Sequence, residues 1–307
     1  MGLLCLLLST SCLTDTPPPP VPAPAPLPVQ EEPAVEYTTR ETTLSSNSSS
    51  FSDASVRALL ADDRFPGLTR LELSNTQLSA HGLERLLQDP RMAELKELVL
   101  NSSPVGDAGL MIIARSPLAS SLDTLNVARI GASPSGVATF ADSMPFNDLK
   151  LLIGHQNVGD EGAVALAQRP GLRRLDLTTA QVGTTGAVAL LTQTTATSIS
   201  LRDNPVHLDG LSAISPSLRS ISFKMVPLTP SDLTTLAAAP APGLRELSLE
   251  QVPISDEPLA ALRNASWLGQ LETISLSAFE ASPQERQAFL DAWGTERWIS
   301  IYRRDLQ

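Results

Sequence analysis

The chain reads as an α/β solenoid, a stack of strand–turn–helix units whose parallel strands line a concave face and whose helices line a convex one. Three observations predict it. An apolar hexad recurs every 22 to 27 residues, further apolar and glycine positions keep step with it, and the apolar period changes inside each recurrence.

The hexad is L-x-x-L-x-L. It stands as Leu68-Leu71-Leu73, Leu95-Leu98-Leu100, Leu122-Leu125-Val127, Leu172-Leu175-Leu177, Leu218-Ile221-Phe223, Leu244-Leu247-Leu249 and Leu271-Ile274-Leu276, with degenerate copies at Asp148-Leu151-Ile153 and Ala196-Ile199-Leu201. Leucine is common, so the register needs independent support. Five residues after the hexad comes an apolar residue, as at Leu78, Val105 and Val158. Four further on comes glycine in six successive units: Gly82, Gly109, Gly136, Gly162, Gly186 and Gly210. Four past that comes a large apolar residue, as at Leu86, Ile113 and Phe140.

Leu71 and Leu73 alternate around Glu72 as a strand does, whereas Leu83, Leu86 and Leu87 recur at three and four, as one face of a helix does. Stacked units make a continuous leucine core between sheet and helices. The recurring glycine fits either close packing between neighbouring units, where a Cβ would collide, or a simple turn.

The segment Val158-Gly159-Asp160-Glu161-Gly162-Ala163-Val164-Ala165-Leu166-Ala167 resembles the ribonuclease-inhibitor-like leucine-rich repeats, specifically their G-A-x-x-L-A bacterial subtype. Val182-Gly183 through Gly186-Ala187 to Leu190 repeats the pattern. The resemblance covers about residues 64 to 300 and implies a horseshoe of about nine repeats plus caps. Repeats of this group serve as inhibitors, scaffolds, GTPase activators and secreted effectors, so it implies a fold more than a function. The asparagine or cysteine that the group often carries three residues after the last hexad leucine is replaced by Thr76, Ser103, Ile130 and Ala180, and Asn204 conforms. Residues 15 to 50 are too rich in Pro and Ser for the F-box helices that precede the effector subtype.

An open stack needs capped ends. Residues 51–66, with Ser52 and Asp53 ahead of Val56, Leu59 and Leu60, suit an N-terminal helical cap; residues 282–307 suit a C-terminal one, with a helix over Pro283–Trp293 and a strand over Trp298–Tyr302. Trp267, Trp293, Trp298 and Tyr302 gather there, as cover for the last layer or as a binding patch. Residues 13–50 read as a disordered Pro- and Ser/Thr-rich tether, a spacer or a Pro-rich ligand. Residues 1–12 carry an apolar run, Leu3 to Leu8, too short to span a membrane, then Ser9-Thr10-Ser11-Cys12. That ending resembles a bacterial lipoprotein signal, which implies lipidation of Cys12; a plain cleaved signal is the alternative.

Composition narrows the function. The chain has 33 Asp and Glu against 22 Lys and Arg, a net charge of −11, which disfavours attraction to nucleic acid or to anionic lipid, since both need a basic face. Cys5 and Cys12 are the two cysteines, so the repeats hold no disulfide or cysteine metal site. His81, His155 and His207 fall at three phases of the repeat, and no phosphate loop or serine elbow is present, so the expectation is a non-enzymatic chain without cofactor or metal.

Binding has better candidates. The outward strand positions form two columns, charged in the N-terminal half and serine-rich in the C-terminal half. From them Arg70, Glu72, Glu97, Val99, Lys150, Leu152, Arg174 and Asp176 are the expected contacts to a protein partner. The expected setting is a monomeric module of the bacterial cell envelope on a lipid-anchored spacer. The alternative is a secreted or translocated effector, or a GTPase-regulator-like repeat protein.

Overall fold

A computed structural model of the chain describes residues 38–40, 42–62, 67–277, 280–294 and 298–301. The signal-like segment with Cys12, the Pro-rich part of the tether and Tyr302 lie outside the described residues. One 12-stranded sheet runs through the rest in chain order. β1 (Thr38–Arg40) is antiparallel to β2 (Thr43–Ser46). Parallel pairing then carries the sheet through β3 (Arg70–Leu73), β4 (Glu97–Val99), β5 (Thr124–Asn126), β6 (Leu149–Leu152), β7 (Leu172–Asp176), β8 (Ser198–Ser200), β9 (Ser220–Ser222), β10 (Glu246–Leu249), β11 (Thr273–Leu276) and β12 (Trp298–Ile301).

Helices α1 (Asp53–Ala61), α2 (Ala80–Leu87), α3 (Gly106–Arg115), α4 (Pro134–Ser143), α5 (Gly159–Ala167) and α6 (Thr184–Gln193) pack each on the next, and so do α7 (Pro230–Ala238), α8 (Asp256–Arg263) and α9 (Pro283–Trp293). The architecture is a leucine-rich-repeat solenoid, sheet on one side and helices on the other. The hexad leucines are its core: Leu71, Leu98, Leu125, Leu151, Leu175, Ile199, Ile221, Leu247 and Ile274 face one another in strict register and are buried. Trp267 and Trp293, at 1% and 2% exposed, are buried as cover for the last layers rather than offered on a surface patch.

The stack begins earlier than the leucine pattern indicates. Thr43–Ser46, expected in the disordered tether, is a strand whose Leu44 pairs with Leu71 and whose Ser46 pairs with Leu73. Phe51, five residues on, is buried; Ser55 stands where the next unit has Gly82, and Leu59 stands where it has Leu86. Helix α1, expected as a separate cap, is thus the helix of a complete first unit. That unit keeps one hexad leucine and puts a buried serine at the third position, so its polar composition hides it.

A second departure lies between β8 and β9, where no α-helix forms. The hexads there are 22 residues apart, the shortest spacing, which leaves too little chain for two turns of helix and its connections. Extended backbone bridges both neighbours instead: Ser215 N–H donates to Leu191 O at 2.7 Å and Ile214 N–H to Pro240 O at 2.8 Å. Gly210, expected to match the other five glycines, sits in this turn with φ +84°, and a Cβ there would meet nothing within 4 Å.

The other five decide between the two readings of the glycine. Gly82, Gly109, Gly136, Gly162 and Gly186 are buried inside helices without left-handed φ, so turn geometry does not require them. Space does. A Cβ on Gly162 would lie 2.8 Å from Val158 Cγ1, and one on Gly186 would lie 2.8 Å from both Ala163 Cβ and Asp160 Oδ1. At Gly82 and Gly136 the obstacle is the carboxylate of the preceding unit, Asp53 or Asp107. These aspartates hold the next helix entrance: Asp107 accepts from Ser133 N–H and O–H, both at 2.7 Å, and Ser133 Oγ accepts from Gly136 N–H at 3.0 Å. Asp160 does the same for Gly183 and Gly186, and Asp256 for Ser282. At Gly82, Gly136 and Gly186 the glycine thus makes room for a carboxylate at a helix entrance whose N–H groups have no intrahelical partner, whereas at Gly109 and Gly162 it makes room for the side chains of Val105 and Val158.

Backbone groups just after each strand are satisfied by a second ladder. Asn75, Ser102, Arg129, His155, Thr179, Asp203, Met225 and Gln251, two residues past the hexad, all have φ between +51° and +59°. That conformation costs a non-glycine residue about 1–2 kcal/mol. In return each N–H points at the next unit, as in Asn75 to Asn101 O at 2.8 Å and His155 to Thr178 O at 2.7 Å. At the following position Asn204 accepts from Ala180 and Val182 N–H and donates to Leu177, Leu201 and Arg202 carbonyls. Gln156 repeats that pattern with Ile130 and Ala132 N–H and with Val127 and Ile153 carbonyls. Where Ile130 or Ala180 stands instead, its carbonyl accepts Gly106 or Val158 N–H from the preceding unit.

Two stability outcomes follow. Gly136→Ala should cost about 1–3 kcal/mol in urea unfolding, because the methyl and the Asp107 carboxylate compete for one space. In an Asp107→Ala background the same change should cost clearly less, and an equal cost in both would contradict the packing role. Asn204→Ala, which strands two buried N–H groups, should lower stability by about 2–4 kcal/mol on the same assay.

Candidate functional site

The outward side chains of the strands form the two expected columns. Arg70, Glu97, Thr124, Lys150, Arg174, Ser198, Ser220, Glu246 and Thr273 lie side by side in the first. Glu72, Val99, Asn126, Leu152, Asp176, Ser200, Ser222, Ser248 and Ser275 form the second. Adjacent members are ~4.8 Å apart, the strand spacing. The first unit extends the columns with Thr43 and Ser45.

The expected contact residues separate into two groups. Arg70, Glu72, Glu97, Val99, Lys150 and Leu152 line one open concavity of about 270 Å³. Within it Arg70 donates to Glu72 Oε2 at 2.9 Å and pairs with Glu97 through its other terminal nitrogen. The Glu72 hydrogen bond leads in holding the Arg70 guanidinium above its ordinary pKa, against partial desolvation and with help from Glu97. Two of the expected charges are thus spent on Arg70. Val99 is buried and forms floor rather than contact surface, and Lys150 is half-buried.

Arg174 belongs to the second group and Asp176 to neither. Asp176 Oδ1 accepts from Thr178 N–H at 3.0 Å and Thr178 O–H at 2.6 Å, closing the turn after β7, so it serves the fold. Arg174 borders a larger concavity of about 520 Å³ with Arg173, Arg219, Arg245, Glu246 and Glu272. Three of these arginines were not anticipated. They follow the first leucine of their hexads, in Leu172-Arg173, Leu218-Arg219 and Leu244-Arg245, one place before the column positions. The periodic signal was there to read, yet that place usually belongs to the loop entering the strand. A register shift between β6 and β7, where Leu149 faces Leu172 but Lys150 faces Arg174, leaves Arg173 as an extra exposed residue.

The histidines occupy three separate units. His81 is exposed on α2, 3.9 Å from Glu84; His155 is exposed in a left-handed turn. His207 is half-exposed with Nδ1 3.1 Å from Asp232 Oδ2. Asp232, 3% exposed, also accepts from Leu208 N–H at 2.7 Å and from Thr229 N–H and O–H at 2.8 and 2.7 Å. Burial alone would push this carboxyl up, but the hydrogen bonds from Leu208, Thr229 and His207 outweigh it and hold its pKa below the ordinary aspartate value. This cluster ties the helix-less unit to α7. Among the described residues no group of three His, Cys, Asp or Glu side chains could hold a metal ion, and no helix is long and apolar enough to cross a membrane. Cys12 lies outside them.

No protein-family model and no curated protein matches the sequence. Among solved structures, the complex of Rad7 and Elc1 in yeast is similar at 14% identity and TM-score 0.44, covering 80% of this chain and 71% of that one. An internalin (inlF) from Listeria monocytogenes is similar at 15% identity and TM-score 0.41, covering 77% and 75%. The fold rests on strand order and register rather than on these likenesses.

The Asp232 cluster predicts a pH dependence. A carboxyl with a lowered folded pKa contributes stability above its unfolded pKa of ~3.9 and loses it as pH falls through the folded value. Asp232→Asn should therefore destabilise the chain more at pH 7 than at pH 3 in thermal melts. A penalty independent of pH would contradict the assignment.

Proposed function

We propose that the chain is a non-enzymatic protein-binding module of the bacterial cell envelope, carried on a lipid-anchored spacer, with the concave sheet as its docking face. The observation that carries the binding part is the register. One-to-one pairing from β3 to β11 sets two straight columns of outward side chains that are half-buried or exposed, apart from Val99. A long shallow surface of that kind offers area and hydrogen-bonding groups without an enclosed pocket, which suits a macromolecule better than a small substrate. Mixed charge around Arg70 and Lys150 favours selection of partner over raw affinity.

The envelope part rests on sequence. The apolar run Leu3 to Leu8 before Ser9-Thr10-Ser11-Cys12 has the order of a lipidation signal, and the Pro-rich segment after it has the composition of a spacer. A repeat module on such a spacer would stand clear of the membrane that holds it.

Two measurements on the full chain test the two parts separately. Expressed in a bacterial host with labelled fatty acid, the chain should sediment with membranes and carry label, and Cys12→Ser should abolish the label; unlabelled chain released to the medium would contradict the anchor and favour a secreted protein. Photo-crosslinking residues at Lys150 and Ser198 should give adducts with envelope proteins that residues at the convex positions Glu161 and Thr185 do not. Equal adducts from both faces would contradict concave docking.

A further inference from the structure

We infer that the arginine-lined concavity over β7 to β11 is a recognition site for the carboxylates of an extended, acidic protein segment. The inference rests on the reading of the concave sheet as a docking face and names the chemistry of its partner.

Backbone hydrogen bonds place the arginines. Thr197 N–H donates to Arg173 O at 3.0 Å, Arg219 N–H to Thr197 O at 2.8 Å, Arg245 N–H to Arg219 O at 2.8 Å and Glu272 N–H to Arg245 O at 2.7 Å. These residues therefore form a third column, one place upstream of the two expected ones. Arg219 and Arg245 are neighbours in it, and Arg173 lies two strands before Arg219, with Arg174 beside it in the first outward column. Thr197, Ser198 and Ser220 are short, so the floor between the guanidinium groups stays open.

The charges are only partly compensated. Arg173 reaches back to Asp148 at 3.3 Å, and Arg245 Nη1 donates to Leu244 O at 2.8 Å. Arg174 and Arg219 form no ion pair among the described residues. Four arginines against Glu246 and Glu272 leave the lining net positive in a chain whose net charge is −11. Like charges on adjacent strands are unfavourable by themselves. A bound carboxylate relieves the repulsion and forms the forked, charge-assisted hydrogen bonds that guanidinium groups make best.

Spacing and sign favour an acidic protein segment over a nucleic acid. From Arg173 to Arg245 is three strand steps, ~14 Å, and an extended peptide places side chains i and i+4 ~14 Å apart on one edge. Glu246 and Glu272 at the rim can accept from the N–H and O–H groups such a segment also carries, whereas they repel a continuous run of phosphates. The acidic remainder of the molecule repels such a polyanion at longer range.

The test uses the full chain and a fluorescein-labelled peptide of alternating glutamate and serine, its glutamine counterpart, and a thymidine oligonucleotide of similar length, read by fluorescence anisotropy. The glutamate peptide should bind, more weakly as salt rises, and the glutamine peptide should not. Arg219→Ala/Arg245→Ala should weaken binding at least about tenfold, as expected on losing charge-assisted contacts, with an unchanged melting temperature. Arg115→Ala, an exposed arginine in the last turn of α3 on the helix side, should leave binding as it was. Equal binding of the glutamine peptide, indifference to the arginine substitutions, or tighter binding of the oligonucleotide through the same arginines would overturn the inference. If the glutamate peptide fails to bind while crosslinks still form from Lys150 and Ser198, the acidic-segment inference falls and concave docking stands. Failure of both removes both.

Discussion

A unit of this chain exposes leucine on both flanks until a neighbour covers it, so no unit can hold its fold alone. Everything else depends on the way neighbours are held in step. The hexad leucines meet across strands without slipping, because a one-residue slip would turn Leu71 and Leu73 outward and bury Glu72. Even the one irregularity, between β6 and β7, is resolved within one residue, at Arg173, and the columns resume beyond it.

Three devices outside the core enforce that step. Carboxylates of Asp53, Asp107 and Asp160 reach from one helix entrance to the next, and Gly82, Gly136 and Gly186 leave them room. Left-handed residues after the strands turn their N–H groups to the following unit, offsetting a conformational cost with a hydrogen bond between units. Asn204 and Gln156 fill the remaining backbone demand where the chain supplies a long enough amide. Each joins neighbouring units rather than stabilising one unit internally, so loss of any should loosen the stack on both sides of it.

The parts of this arrangement written in leucine were legible in the sequence, and the parts written in polar residues were not. The strands from Arg70 to Leu276, their outward columns and their register, apart from the shift at Arg173, follow from the hexad alone. The first unit was hidden because Ser46 and Ser55 take positions that elsewhere hold Leu and Gly, and a Ser/Thr-rich stretch reads as linker. Gln156, the counterpart of Asn204 two units earlier, is not legible from the pattern because that position is marked by a shorter amide. At the site, one-dimensional reading found Arg70, Glu97, Lys150 and Arg174, but it could not show that Arg70 is already paired, that Asp176 closes a turn, or that Arg173, Arg219 and Arg245 converge. The Asp176 turn is a local contact two residues long, whereas the Arg70–Glu97 pair and the convergence of the arginines depend on side-chain reach between units 22 to 27 residues apart in sequence.

The same stacking gives the molecule its two unlike faces, and the docking face exists only if they differ. Strands step by ~4.8 Å whereas packed helices step by ~8–10 Å, so a stack in strict register must curve with the sheet inside. The helix-less unit between β8 and β9 locally narrows the outer side without removing the difference. Electron spin-label distances measure this directly. Labels at Lys150 and Thr273, five strands apart on the sheet, should lie ~24 Å from each other. Labels at Glu161 and Gln284, in the corresponding units on α5 and α9, should lie clearly farther apart, ~40 Å or more. Equal separations on the two faces would contradict a curved stack in one-to-one register, and with it the concave face on which the binding account is built.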